Sequence, residues 1–219
     1  MKLLLTSGGL TNKSIVAALQ ELAERPFAEL SLAFIPTAAN LEEGDKWWLI
    51  EDLENCKKLG LKTLDIVDIS ALPRNVWQKR LKEANILFFE GGNTFHLMHW
   101  ISASGLRELL PELLKTRVYV GVSAGSIVAG LSLALVSTSE REQAEEIHGK
   151  IGDNGICMTD FVVKPHINNE HFNGRTFDSV QKESGQAKFP VYALDDQSAI
   201  KVVDGEVSVV SEGEWKRFG

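Results

Sequence analysis

The feature that most limits the fold is an alternation of two hydrophobic periods. The runs "KLLLT" (2–6), "LSLAFIP" (30–36), "KTLDIVD" (62–68), "NILFFE" (85–90) and "RVYVGV" (117–122) read as five short strands. The segments between them carry apolar residues at helical spacing. Ile15, Leu19 and Leu22 share one face of "SIVAALQELAE", and Leu49, Leu53 and Cys56 form a stripe within a helix expected over 42–59, stopped by Gly60. A short helix is expected over 75–84. Residues 94–115 are helical in pattern but split at "SASG" (102–105), and Pro111 argues further against one unbroken helix. Short buried strands alternating with helices require parallel crossovers and a sheet covered on both faces. The 219 residues suit a single α/β domain spanning 1–219.

The last third changes character. "STSEREQAEEIHGK" (137–150) is polar and reads as a surface excursion. "GICMTDFVVKPH" (155–166) reads as a strand ending in a loop, "RTFDSVQKES" (175–184) as a helix and "PVYALDD" (190–196) as a strand. "SAIKVVDGEVSVVSE" then places Asp204-Gly205 between two alternating segments, a hairpin signal.

Composition narrows the function classes. The formal net charge is −7, and no Lys/Arg cluster is dense enough to form a nucleic-acid footprint, so no nucleic-acid partner is expected. Two cysteines, Cys56 and Cys157, make no disulfide framework and no CxxC motif. The "LLL" near the start is too short for a signal peptide's apolar region, and no segment approaches the roughly 20 apolar residues of a membrane span. A cytoplasmic location without a membrane partner is the expectation.

The chemistry concentrates at the strand ends. Gly121-Val122-Ser123-Ala124-Gly125 fits G-x-S-x-G between an apolar strand and a helical "SIVAG". That spacing puts a nucleophile on a sharp strand-to-helix turn, with the Ala124 N–H aimed where an oxyanion would form. Glu90-Gly91-Gly92-Asn93 follows another buried strand. There Gly92 can supply a second oxyanion donor, and Asn93 is either a substrate contact or the N-cap of the next helix.

A serine needs a base, and the chain has five histidines. His166 falls at the end of "FVVKP", within reach of such a serine. His96 and His99 read as structural, His148 as solvated and His171 as a weaker candidate in the loop. His166, Glu170 and His171 do not make H-E-x-x-H, so no metal is expected. Asp195 and Asp196 end the strand "VYAL" and are candidates to orient the base, with Asp160 as competitor.

These stretches together, "TSGG", "FFEGGNTF", "GVSAGSIVAG", "KPHI" and "YALDD", resemble the dipeptidase E (aspartyl dipeptidase) family of serine peptidases, which includes the cyanophycinases. The resemblance covers nearly the whole chain. It implies a fold similar to class I glutamine amidotransferases, with Ser in place of their Cys and no cofactor or metal. It makes Ser123 the nucleophile, His166 the base, and the Gly92 and Ala124 amides the oxyanion hole. The family's Glu in an "LPEGN"-like turn matches "LDDQS", where Asp196 takes that position and Asp195 is the neighbour. An acid soon after the nucleophile is the family's other arrangement; "LSLALVSTSE" offers only Glu140 there.

The implied activity is release of N-terminal Asp from dipeptides through an acyl-enzyme. Arg175 stands where the relatives hold the Asp side chain. The expected partner is a small peptide, with the chain a monomer or homodimer. An α/β-hydrolase-type esterase with a Ser–Asp160–His order, and a non-catalytic ligand-binding relative, are the competing readings.

Overall fold

Four of the five apolar runs fold into strands buried on both sides, because successive side chains feed two different cores, and the fifth, over 63–66, forms a partly exposed edge strand. The computed structural model describes residues 1–185 and 187–219. Strands β1 (Lys2–Thr6), β2 (Ser31–Ile35), β3 (Thr63–Ile66), β4 (Ile86–Phe89) and β5 (Val118–Val122) run parallel in the order β3-β2-β4-β5-β1. The hairpin β8 (Ser198–Val203) and β9 (Glu206–Ser211) continues the sheet antiparallel from β1, giving seven strands. Its turn is Asp204-Gly205, both at positive φ (49° and 93°), as a two-residue hairpin of this kind requires.

Leu3, Leu5, Leu87, Phe89 and Tyr119 enter one core, packed with α3 (Arg74–Glu83), α4 (Thr94–Ala103), α5 (Leu106–Leu113) and α6 (Ala124–Ala129). Leu4, Ile86, Phe88, Val118 and Val120 enter the other, against α1 (Lys13–Ala23) and α2 (Trp47–Lys58). Alternation within each strand therefore buries both faces of the sheet. Stacked pairs Phe34–Phe88 (5.0 Å) and Phe89–Tyr119 (4.6 Å) fill adjacent strand positions on the two faces. No helix among the described residues is long and apolar enough to cross a membrane.

A second, three-stranded sheet in the order β10-β7-β6 was not legible in the sequence. It comprises β6 (Val162–Lys164), β7 (Val191–Leu194) and β10 (Trp215–Phe218), with α8 (Phe177–Ser184) packed over Ile167, Val191 and Ala193. The strand expected over 155–166 shrinks to three residues. Residues 155–158 instead give their N–H groups to the carbonyls of Leu131, Val128, Gly130 and Ala129. Helix α2 starts at Trp47 rather than 42, because Thr37–Leu41 close a 3₁₀ turn and Gly44 sits at φ 78°. The polar excursion is corrected to a helix, α7 (Thr138–His148), capped by Ser137 and packed on α4. The split at 102–105 is real: Gly105 (φ 77°) separates α4 from α5.

Two glycines set the spacing between α6 and the sheet. A Cβ on Gly121 would lie 2.6 Å from the Gly125 carbonyl, and one on Gly125 would lie 2.1 Å from the Phe89 carbonyl oxygen. Both neighbours are backbone and cannot rotate away. Gly125→Ala is therefore expected to lose at least about 3 kcal/mol, the upper range for overpacking. Gly152→Ala, which meets nothing within 4 Å, should stay within about 0.5 kcal/mol of wild type. Urea unfolding of the two variants checks this, and equal midpoints would refute the close-approach argument.

Candidate active site

Strand register brings three loops together. Thr6 pairs with Val122 and Phe89 with Gly121, so β1, β4 and β5 end level and release Ser7, Glu90-Gly91 and Ser123 side by side. In the second sheet Lys164 pairs with Ala193, and the segments leading to His166 and Asp196 leave from the same end.

Ser123 occupies φ 47°, ψ −105°, a conformation that L residues rarely adopt and that costs on the order of 1–3 kcal/mol. The surroundings hold it there. Its N–H donates to the Thr6 carbonyl (3.2 Å), and the Ser126 hydroxyl bonds the Thr6 and Gly121 carbonyls at 2.7 and 2.8 Å. The buried Tyr119 hydroxyl donates to the Gly125 carbonyl at 2.6 Å.

The Ser123 Oγ lies 2.8 Å from His166 Nε2, and His166 Nδ1 lies 2.6 Å from Asp196 Oδ1. His166 is itself at φ 62°, and its N–H donates to the Ser7 hydroxyl at 2.8 Å. The Ser7 hydroxyl in turn donates to Asp196 Oδ1 at 2.8 Å. Asn169 Nδ2 donates to the other Asp196 oxygen. Burial alone would raise the Asp196 carboxyl. The hydrogen bond and charge of His166, with Asn169 and Ser7, outweigh it and hold the carboxyl at about 2.

The other sequence candidates separate cleanly. Asp195 turns away from the histidine: it accepts from the Gln197 N–H (3.0 Å), the Ser198 hydroxyl (2.6 Å) and the Glu214 N–H, tying β7 to β8 and β10. Asp160 is exposed and makes no side-chain hydrogen bond among the described residues. Gly91 abuts the serine, since a Cβ there would lie 3.5 Å from the Ser123 Cβ. Position 92 admits only glycine, because it sits at φ 123° and a Cβ there would strike the Ala38 carbonyl at 2.4 Å. Among the described residues, neither the Gly92 nor the Ala124 N–H meets a protein acceptor.

Asn93 is buried and its side chain is fully engaged. Its Oδ1 caps α4 through the His96 N–H (2.9 Å), and its Nδ2 donates to the Glu140 carbonyl and Gln143 Oε1. This geometry favours the cap over the substrate contact. Arg175 donates to the Pro165 carbonyl (3.3 Å) and lies over the Phe172 ring at 4.6 Å, while Phe172 stacks on His166 at 4.2 Å. Burial pushes the guanidinium below its ordinary range, and Glu140, Glu183 and Asp196 oppose this only as charges at a distance.

His148 is not free in solvent as expected. Its Nε2 meets His96 Nδ1 at 2.8 Å and its ring stacks on His99 at 3.9 Å. Burial, then the two neighbouring histidines, push His96 down to about 4. His171 stays exposed, near Trp47 and Glu170.

Sequence reasoning missed Ser7, Asn169 and Phe172. Ser7 carried a signal, a polar residue immediately after a buried strand. The other two lie in an irregular loop with no periodicity to read.

Compared with family profiles, residues 3–210 match Peptidase family S51. The chain belongs to peptidase family S51. As a member it is a serine-type peptidase. The uncharacterized peptidase Lmo0363 of Listeria monocytogenes is 25% identical over 178 residues, covering 81% of this chain and 84% of that protein. Peptidase E of Shewanella oneidensis is 42% identical over 76 residues, covering 34% of this chain and 32% of that one. Among solved structures, a Listeria monocytogenes EGD-e protein named for peptidase E superposes with a TM-score of 0.81 at 24% identity, covering 97% of this chain and 98% of the other. A peptidase from an acI-B1 Actinobacterium gives 0.63 at 19%, covering 99% and 93%. The S51 fold is thus the class I glutamine amidotransferase-like α/β architecture expected from the sequence.

The depressed Asp196 carboxyl has a consequence for stability in acid. Its folded value, about 2, lies below the ordinary 3.8, so the stabilisation is present above about pH 4 and disappears as pH falls toward 2. Urea midpoints should show wild type ahead of Asp196→Asn near neutral pH, with the gap closing below about pH 4. A gap that stays constant across that range would contradict the assigned hydrogen bonding.

Proposed function

We propose that this S51 member is a dipeptidase that cleaves short peptides with an N-terminal Asp, through an acyl-enzyme on Ser123. The observation that carries the reading is the continuous hydrogen-bonded line from Ser123 Oγ through His166 to Asp196. In that arrangement His166 Nε2 accepts the hydroxyl proton as Oγ attacks the scissile carbonyl. The oxyanion forms against the unpartnered N–H groups of Gly92 and Ala124, the latter opening α6. His166 passes the proton to the leaving amine, the C–N bond breaks and the acyl-enzyme remains. Water, deprotonated by the same imidazole, then releases the acid and restores Ser123. Asp196, already ionised, holds Nδ1–H and stabilises the imidazolium without taking its proton.

Arg175 supports the preference for an acidic residue. It is a largely buried cation beside the His166–Phe172 stack, and no carboxylate among the described residues pairs with it. A substrate carboxylate would supply the missing counter-charge.

Ser123→Ala should lose at least ~10³-fold in kcat with its fold intact, and Asp196→Asn at least ~10²-fold. Asp195→Asn and Asp160→Asn should stay within about tenfold, because neither carboxyl touches the base. A crippled Asp160→Asn would restore the esterase-like order. Arg175→Met should lower kcat/KM for Asp-Xaa dipeptides by at least about 30-fold while changing neutral dipeptides less than about threefold. Equal losses on both substrates would remove Arg175 from specificity.

A further inference from the structure

Beneath the glycine turns lies a pair of buried carboxyls that this mechanism leaves without a task. Glu90 directly follows β4 and is wholly buried. Its Oε1 accepts the Gly91 N–H at 2.9 Å, while Oε2 is sealed from solvent and meets no hydrogen-bond donor among the described residues. Asp52, on α2, is buried and in side-chain contact with Glu90. Asp52 Oδ1 also presses on the Ser7-Gly8-Gly9 loop, so closely that a Cβ on Gly9 would lie 2.2 Å from it. The far side of that loop rests on Asp196, 2.8 Å from where a Gly8 Cβ would stand. The carboxyl pair thus touches both turns that frame Ser123 and His166.

Nothing nearby neutralises it. Glu51 and Asp196 add negative charge, and among the described residues no Lys or Arg forms an ion pair with either member. Cys56, one helical turn along α2, is a buried thiol kept neutral by burial and by these same carboxyls. Two carboxyls in contact without a cation cannot both ionise in a dry site, so one proton between them satisfies the otherwise orphaned oxygen.

We propose that Asp52 and Glu90 share one proton and together act as the positioning element of the oxyanion turn, with Glu90 fixing Gly91 so that the Gly92 N–H points at the reacting carbonyl. This rests on the oxyanion role given to Gly92 above. Gly91 is the residue against the Ser123 side chain, so the one hydrogen bond from Glu90 sets both the serine's neighbour and the donor after it. Loss of the shared proton leaves two adjacent charges buried together. Glu90 then leaves Gly91, or α2 leaves the sheet, and in either case the turn loosens. Burial, with the neighbouring charges, raises both Asp52 and Glu90 well above the ordinary carboxylate range, which moves the loss of the shared proton toward neutral and alkaline pH.

The test compares wild type with Glu90→Gln, Asp52→Asn and Glu90→Leu. The amide of Glu90→Gln still accepts from Gly91 and donates to Asp52, with no proton left to lose. Ser123-dependent hydrolysis of p-nitrophenyl acetate and of an Asp-Xaa dipeptide is followed from about pH 6 to about pH 9. The protonated-carboxyl band is followed by infrared spectroscopy over the same range.

Wild-type kcat should fall at least about fivefold on the alkaline side, in step with the band, while Glu90→Gln and Asp52→Asn show neither change. Glu90→Leu should lose at least about tenfold in kcat at every pH with KM within about twofold. An alkaline fall that persists in Glu90→Gln and Asp52→Asn, or a full kcat in Glu90→Leu, overturns the positioning role. Absence of the band in wild type near pH 6 overturns the shared proton. If wild type shows no Ser123-dependent hydrolysis, the dipeptidase reading fails, and the infrared band alone decides the pair.

Discussion

The rest of the site depends on the close approach of α6 to the end of β4. With hydrogen at position 125, the Phe89 carbonyl packs directly against the first turn of the helix. That contact forces the chain to reverse within one residue after β5, and Ser123 takes the backbone strain. It also brings Gly91 to the serine's side chain, because Phe89 and Gly91 belong to the same strand-to-turn segment. The donors and the nucleophile are therefore placed by a single packing decision. The strain at Ser123 and His166 is sustained by hydrogen bonds: the Ser123 N–H donates to the Thr6 carbonyl, the Ser126 N–H to the Ser123 carbonyl and the His166 N–H to the Ser7 hydroxyl, all within or just beyond elements the core already fixes.

Electrostatics then divides the buried carboxyls into two kinds. Asp196 has three donors and stays ionised down to about pH 2. Asp52 and Glu90 have one backbone donor between them and each other for company, and burial raises both. The two kinds are separated only by the Ser7-Gly8-Gly9 loop. Environments that push like groups apart in this way give one residue type two tasks in one site. The sign for stability is opposite for the two kinds. Asp196 adds stability that is lost in acid, whereas the pair contributes stability that is lost as pH rises above the ordinary carboxylate range.

Much of this was legible in the chain. The five parallel strands announced themselves because each is short, apolar and followed by a helical period. The hairpin was readable from Asp204-Gly205, and the serine turn from glycines on both sides of Ser123. His166 could be picked by strand-end position; that position left Asp195 and Asp196 open, with Asp160 as competitor, and the family resemblance singled out Asp196, which the structure brings with His166 to Ser123. What could not be read depends on pairing between distant segments. The segments holding β6 and β7 read as strands, but nothing in the sequence paired them with each other or with β10, whose four residues are too few for periodicity to register. Polar α7 showed little apolar periodicity because it buries only Ala144 and docks instead through Asn93 and His96. Glu90 looked like a strand terminator, and nothing in the sequence said that Asp52 would face it.

Covalent labelling of Ser123 by a fluorophosphonate, followed by mass spectrometry of wild type, His166→Ala and Asp196→Asn, tests the central claim most directly. The account predicts one label per chain, on Ser123, with labelling slowed at least about 100-fold in both variants. Labelling at another residue, or an undiminished rate in Asp196→Asn, would contradict it.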